Sequence, residues 1–261
     1  MLGQLEQSAL YNAANFGFNP MQDSCGTTFA SRSNSTVVNT VVNFFTCPSD
    51  GNSGGSSSRI NNYFASRGPN AQQNPQSTPG MFAVYVSYGT RDATDGTSNT
   101  IAYSEVLAGK PNVSNGYRGN VVTAVGSFPS TLNVYNVNQV ALAPILSTFL
   151  QSCATAFQSG SSTIGTDNGY RWAVGRLGYT IFNTVCTPNN DPQFSKGGCR
   201  GDTGAGSDSQ HITTASSAHS GGVNVLFCDG SVKFIKDSIS RPTWMALGSR
   251  DGAEVIGSDS Y

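Results

Sequence analysis

The chain has 261 residues, of which 37% are hydrophobic, so it is long enough to bury a sizeable core. Only 11% of its residues are charged, against roughly 25% in an average soluble domain, and the net charge is −1. This balance excludes the basic field that nucleic-acid binding requires and the polybasic patch that membrane-surface binding requires. A polar, weakly charged surface is typical of secreted and surface-layer proteins.

Six cysteines indicate an oxidising environment, such as that of secreted proteins. Their spacing contains no C-x-x-C pair and no Cys/His cluster of zinc-finger type. An even count favours up to three disulfides. We predict that Cys186 pairs with Cys199, closing a short Gly- and Pro-rich loop, and that Cys25 pairs with Cys47.

In chain order, the first predicted elements are two helices. Residues 2–16 carry apolar side chains near helical spacing. A second helix is predicted to begin after Asn34 as its N-cap, although the β-branched valines that follow favour helix poorly. Strands are predicted over NNYFAS (61–66), MFAVYVSY (81–88) and residues 100–107.

The clearest helix is predicted over residues 137–158, where apolar side chains line one broad face. YRWAVG (170–175) and GYTIFNTV (178–185) are predicted strands, and residues 187–209 form a predicted long loop. Ser240 is the predicted N-cap of a short C-terminal helix that ends at Gly248. A final short strand is predicted over residues 253–256.

The stretch 223–235 predicts a β-hairpin. Asp229-Gly230 is a type I′ turn signal, and as a two-residue loop it would place Phe227 opposite Val232 and Val225 opposite Phe234. We expect those pairs to face the core. Gly221-Gly222 allows a sharp bend just before the hairpin, with His219 on its far side.

His219, nine further residues and then Asp229-Gly230 spell the pattern H-x9-DG. With five other segments, in this order, the pattern resembles a large bacterial family of prepilin-type processing-associated proteins. Those segments are LEQSALYNAANF (5–16), FFTCPSD (44–50), DATDGTSNTIAYSE (92–105), YRWAVGRLGYTIFNTVCTPN (170–189) and TWMALGSRDGAEVI (243–256). The resemblance covers the chain apart from 127–160 and 190–208.

The resemblance implies a pilin-like or pseudopilin-like surface protein, as in type IV pili and type II secretion, and it implies no reaction. Members of the family typically open with a prepilin leader and a long apolar helix. This sequence begins at about the point where the globular head begins. We therefore expect membrane contact only through a helix that is absent from this chain.

The predicted fold is α+β: a single domain over residues 1–261, in which helices pack on a largely antiparallel sheet that carries the C-terminal hairpin. We expect a helical insertion at 127–160 and the long loop at 187–209. The predicted function is that of a non-enzymatic, exported head that is extracellular or on the cell surface. It would assemble with itself or with other pilin-like subunits. An extracellular polysaccharide- or ligand-binding module is the alternative, and a hydrolase using His219 ranks below it.

Three sets of residues are candidates for chemistry. Six extended residues span roughly 20 Å, so His219 and Asp229 at opposite ends of a strand are interpreted as structural rather than catalytic. A Cys-His dyad could use Cys47 or Cys228, but disulfides are favoured for both. The oxygen ligands of one turn suit calcium, although an ordinary capped turn is the favoured interpretation, and no other cofactor is predicted. Those turn residues are Asp92, Asp95, Thr97 and Asn99.

Overall fold

The computed structural model of the chain describes residues 2–18, 33–51, 60–71, 77–83, 86–110, 117–126, 142–159, 164–189, 191–201 and 210–257. The α-helices in these ranges are α1 (Ser8–Ala13), α2 (Ser35–Val38), α3 (Ala143–Ser159) and α4 (Arg241–Gly248). The strands are β1 (Tyr63–Ser66), β2 (Ile101–Glu105), β3 (Val121–Val122), β4 (Ile164–Gly165), β5 (Ile181–Phe182), β6 (Gly198–Arg200), β7 (Gln210–Thr213), β8 (Gly222–Phe227) and β9 (Val232–Lys236). Short 3-10 helices lie at Leu2–Leu5, Asn43–Phe45 and Thr90–Asp92.

The strands form two sheets. One has five strands in the order β5-β1-β2-β8-β9, and the other has four in the order β4-β3-β6-β7. Each sheet contains one parallel pair, β1 with β5 and β3 with β6, and its other neighbours are antiparallel. Helices on largely antiparallel sheets confirm the predicted α+β class.

The five-stranded sheet packs its inner face against α4. Alternate residues of β8 are buried, as expected for a half-buried strand, and they meet Trp244 and Leu247 of the helix. The Ser240 hydroxyl caps α4 by accepting a hydrogen bond from the Thr243 backbone N–H at 3.2 Å, which confirms the predicted helix start. At the other end, a Cβ placed on Gly248 would lie 2.1 Å from Thr184 Oγ1. The helix therefore ends in direct backbone contact with the Thr184 side chain.

The four-stranded sheet packs against α3, and a disulfide joins the two. The predicted apolar face of α3 is buried at Leu146, Phe149, Leu150, Cys153 and Phe157, because these residues recur every three to four positions. Cys153 is bonded to Cys199 of β6, across a sequence separation of 46. The predicted Cys186–Cys199 pair is therefore wrong.

The hairpin of β8 and β9 is confirmed, but its predicted register is wrong by one residue. Val232 pairs with Leu226 and Phe234 with Asn224, and both side chains of β9 are exposed, at 64% and 46%. The reason is the turn. Gly230 has a φ of +87° and its N–H bonds to the Phe227 carbonyl, whereas Asp229 does not have the positive φ that a type I′ turn requires. The Phe227 N–H also donates to the Ser231 carbonyl at 2.9 Å, so this pair closes a loop of three residues, 228–230.

Several other boundaries differ from the predictions. Residues 2–16 form a 3-10 helix and the six-residue α1 rather than one helix, and α2 covers only Ser35–Val38. Residues 170–175 are not a strand and include a turn at 172–173, and 253–256 are not a strand either. The predicted loop 187–209 contains β6, and most of the proposed insertion before α3 lies outside the described residues. Among the described helices, none has the length and apolar character needed to cross a bilayer.

Candidate functional site

A tight turn in the FFTCPSD segment presents the Cys47 side chain. The Asp50 backbone N–H donates to the Cys47 carbonyl at 3.0 Å, and the Cys47 N–H donates to Asn62 Oδ1 at 2.9 Å. The Asp50 carboxylate is only 2% exposed and accepts hydrogen bonds from Asn62 Nδ2 at 2.7 Å and the Ala108 N–H at 2.9 Å. The Tyr117 hydroxyl donates to the same carboxylate at 3.3 Å. These buried bonds fix the turn against β1 and the segment that follows β2.

Glu105, the last residue of β2, points its carboxylate toward the same turn. Its oxygens accept two hydrogen bonds from Asn224 of β8, one from the backbone N–H at 2.8 Å and one from Nδ2 at 3.1 Å. The Glu105 side chain is 7% exposed. Two strands of the five-stranded sheet therefore hold one buried carboxylate in a defined orientation.

His219 approaches this carboxylate from the bend before β8. Its backbone N–H donates to Ser217 Oγ at 3.2 Å, and Ser217 is itself held by Asn189 at 2.8 Å. Gly221 has a φ of +85°, and a Cβ on Gly222 would lie 2.1 Å from the Ile235 carbonyl oxygen, so the predicted glycine bend is present. The bend places His219 Nε2 3.4 Å from Glu105 Oε1.

These three residues form what we call the Cys47–Glu105–His219 cluster. One donor atom from each, a sulfur, an oxygen and a nitrogen, lies within 4.8 Å of the other two. Burial, followed by the electrostatic influence of Cys47 and Glu105, raises the pKa of Tyr63. Such a set could ligate a transition metal ion, or His219 could accept a proton from the Cys47 thiol.

The structure brings His219 to a carboxylate, but that carboxylate belongs to Glu105 rather than to Asp229. Asp229 is exposed in the hairpin turn, where it accepts hydrogen bonds from the Ser231 N–H at 2.8 Å and the Ser231 hydroxyl at 2.7 Å. These bonds lower the pKa of Asp229. Asp229 and Gly230 therefore shape the turn, as the structural interpretation expects.

In the predicted calcium turn, the carboxylates accept hydrogen bonds from backbone N–H groups. Asp92 accepts a hydrogen bond from the Gly89 N–H at 2.7 Å, and Asp95 accepts from the Gly252 and Ala253 N–H groups at 2.8 and 2.9 Å. The Thr97 carbonyl accepts from the Asp229 N–H at 3.1 Å, and Asn99 Nδ2 donates to the Asp95 carbonyl at 3.4 Å. A capped turn accounts for these contacts, and calcium binding stays a prediction.

Three of the five described cysteines are free thiols, although disulfides are favoured for them in the sequence. Cys186 is a free thiol buried in the core beside α3, and burial raises its pKa well above the usual range. Cys228 is a half-buried free thiol at the hairpin end, and Cys47 is a buried free thiol. Cys25, its predicted partner, lies outside the described residues.

An aromatic groove of about 320 Å³ adjoins the cluster. Its aromatic walls include two ring pairs, Phe45 with Trp172 at 5.5 Å and Phe82 with Tyr103 at 5.2 Å between centroids. Tyr63 lines the groove and lies opposite Glu105 in the pairing of β1 with β2, so this residue connects the groove to the cluster. Apolar walls with a few polar groups are typical of ligand sites.

Fold and site together define an α+β protein in which separate sequence motifs meet at one sulfur, oxygen and nitrogen cluster. A family model described as "Protein of unknown function (DUF1559)" matches residues 1–241. The chain belongs to this family. No curated protein and no solved structure matches it significantly.

Sequence reasoning considered Cys47 and His219 as a dyad but did not single out Glu105. The available signal was that each residue of the cluster lies in a different segment of the family resemblance: FFTCPSD, DATDGTSNTIAYSE and the H-x9-DG stretch. Taken one at a time, the three segments do not indicate that Cys47, Glu105 and His219 lie together.

Proposed function

We propose that the chain is the globular head of a pilin-like or pseudopilin-like exported protein. It would be non-enzymatic and would act at the cell surface by assembling with copies of itself or with other pilin-like subunits. Membership of DUF1559 over residues 1–241, together with the H-x9-DG stretch and the ordered segments that resemble prepilin-type proteins, supports this proposal.

The exposure of the N-terminal segment is the main structural support for the assembly role. Neither the 3-10 helix Leu2–Leu5 nor α1 contains a buried residue. Tyr11 and Phe16 are 51% and 72% exposed, and their rings lie 5.1 Å apart. Exposed aromatic residues are enriched where a partner covers a surface. The Asn34 side chain ties this segment to α2 through hydrogen bonds to Asn15 at 2.8 and 2.9 Å.

The surface composition suits close packing of many copies. Only 11% of the residues are charged and the net charge is −1. Neighbouring copies would therefore repel one another weakly. We expect the isolated head to associate weakly and the complete assembly to depend on additional apolar contacts.

Photo-crosslinking in the producing cells tests the assembly role. A photoreactive phenylalanine analogue replaces Phe16 in one variant and Val255, an isolated and fully exposed apolar residue, in the control. We expect adducts from position 16 to contain this chain or other pilin-like subunits, and position 255 to give at least several-fold fewer. Equal yields at both positions, or adducts at position 16 with unrelated proteins only, would contradict assembly through this segment.

The aromatic groove supports a second candidate function, the binding of an extracellular polysaccharide. Sugar rings present apolar faces that stack on aromatic rings, and Asn61 and Thr180 add polar groups to the walls. Phe82→Ala should weaken binding of soluble oligosaccharides by about tenfold, since an aromatic contact is worth roughly 1 kcal/mol or more. Phe234→Ala, which removes an exposed ring outside the groove, is the matched control. Calorimetric titration against a glycan panel measures both, and unchanged affinity in Phe82→Ala would remove the groove as the binding site.

A further inference from the structure

We propose that the Cys47–Glu105–His219 cluster binds a zinc ion. The proposal goes beyond surface assembly, because it assigns a metal to residues that the assembly role does not use.

The geometry of the donor atoms suits a small metal ion. The three atoms lie within 4.8 Å of one another, and His219 Nε2 is 3.4 Å from Glu105 Oε1. Tetrahedral zinc with bonds of about 2.0–2.3 Å separates its ligand atoms by about 3.3–3.8 Å. Small side-chain rotations are enough to bring all three atoms to one ion.

The charge of the cluster also favours a cation. Glu105 is 7% exposed, and within the described part of the chain His219 is the only basic side chain with a nitrogen inside 4.0 Å of its carboxylate. A buried carboxylate requires a compensating charge. A divalent ion supplies that charge and also balances a Cys47 thiolate.

Each proposed ligand is held by a neighbour that orients it. Asn224 donates two hydrogen bonds to Glu105, Asn62 Oδ1 accepts the Cys47 backbone N–H, and Ser217 Oγ accepts the His219 backbone N–H. Metal sites characteristically have such a surrounding shell, and it accounts for much of their affinity.

The donor set selects the metal. A thiolate, an imidazole and a carboxylate together suit the borderline-soft Zn²⁺ better than Ca²⁺ or Mg²⁺, which prefer oxygen ligands alone. Three protein ligands leave a fourth position for water or for a group from a partner. His219, at 38% exposure, marks the side from which an ion would enter.

Zinc binding would also determine the state of the Cys47 thiol. Zinc-bound thiolate is unavailable for disulfide formation, and the predicted alternative partner of Cys47 is Cys25. Metal ligation and a Cys25–Cys47 disulfide are mutually exclusive, which makes the two readily distinguishable.

Metal analysis of the purified full chain, after zinc loading and dialysis, is the direct test. We expect about one zinc per chain in the parent, and loss of stoichiometric zinc in Cys47→Ser, Glu105→Gln and His219→Ala. Cys228→Ser, which removes a free cysteine outside the cluster, is the matched control and should retain the zinc. Circular dichroism confirms that each variant is folded, and the nearly isosteric Glu105→Gln keeps the test decisive if Cys47→Ser does not fold.

Cobalt substitution identifies the sulfur ligand. The parent, Cys25→Ser and Cys228→Ser should show a sulfur-to-cobalt charge-transfer band, and Cys47→Ser should lack it. Asn224→Leu, which removes a bond to Glu105 but no ligand, should weaken zinc binding by about 10–100-fold. A parent without bound zinc, a charge-transfer band that survives in Cys47→Ser, or peptide mapping that finds Cys47 bonded to Cys25 would each overturn the proposal.

Discussion

The two sheets achieve stability by different means. Four strands of the five-stranded sheet have four to six residues, whereas the strands of the other sheet have two to four. The longer strands enclose a core rich in aromatic residues, including Phe64, Phe182 and Trp244. The shorter strands rely on α3 and on the Cys153–Cys199 disulfide. Where strand hydrogen bonds are few, helix packing and a covalent link take their place.

Trp244→Ala should have the largest effect, because it opens a cavity in the aromatic core. Trp244 is fully buried and lies 6.3 Å from the Phe182 ring. We expect a loss of about 3–5 kcal/mol in the free energy of unfolding, measured by urea denaturation. Trp244→Phe keeps most of the packing and removes an indole N–H that has no hydrogen-bond partner among the described residues, so it should cost far less. Similar costs for both variants would refute the packing argument.

Removal of the Cys153–Cys199 disulfide tests whether the four-stranded sheet and α3 depend on it for stability. The double variant to alanine should lose about 2–4 kcal/mol, since the bond restrains a long loop of the unfolded chain. Hydrogen exchange should accelerate first in α3 and β6, while β8 and β9 stay protected. Cys228→Ser serves as the thiol control. Equal loss of protection in both sheets would mean that the two regions unfold as one unit.

Asp50→Ala tests the buried hydrogen bonds of the Asp50 carboxylate beside the five-stranded sheet. Its removal leaves Asn62 Nδ2, the Ala108 N–H and the Tyr117 hydroxyl without a shared acceptor. We expect a cost of about 1–3 kcal/mol, measured by thermal and urea unfolding. Asp229→Ala, at an exposed turn, should change stability far less. Equal losses of stability in the two variants would show that the buried hydrogen bonds of Asp50 stabilise the fold no more than the exposed ones of Asp229.

The smallest expected effect is the titration of Cys228. Burial, and then the Asp229 carboxylate, raise the pKa of this thiol to about 11. The folded state therefore holds this proton more tightly than the unfolded state. The contribution to stability is present at neutral pH and falls as the pH rises from about 9 towards 11.

Peptide-resolved alkylation rates measure this titration. Cys228 should react half-maximally near pH 11 in the native protein and at a pH nearer 8.5 in urea. The unfolding free energy of the parent, but not of Cys228→Ser, should include the corresponding pH dependence. A native alkylation midpoint near the unfolded value would contradict burial of the thiol.

Local signals in the sequence predicted much of the fold. The apolar face of α3, the Ser240 cap of α4, and the strands β1 and β2 each follow from spacing or from a single capping residue. The hairpin was located correctly, but its register depended on the φ angle of Asp229, which the sequence does not determine. Residues 170–175 look like a strand, yet they are irregular apart from a turn at 172–173.

Long-range contacts account for what the sequence could not predict. The proximity of Cys153 to Cys199 arises only when α3 packs on β6. In the same way, Cys47, Glu105 and His219 meet because two sheet strands and a glycine bend converge. Spacing rules for zinc sites address ligands on one short segment, so they cannot detect ligands drawn from three distant ones.

The contact between Gly248 and Thr184 has a consequence for how the family can evolve. Because a Cβ at position 248 would lie 2.1 Å from Thr184 Oγ1, neither position can enlarge alone. Relatives that carry alanine or serine at the first position should carry a smaller residue than threonine at the second. An aligned set of relatives would then show these two positions changing together, and the single change Gly248→Ala should be rescued by Thr184→Gly.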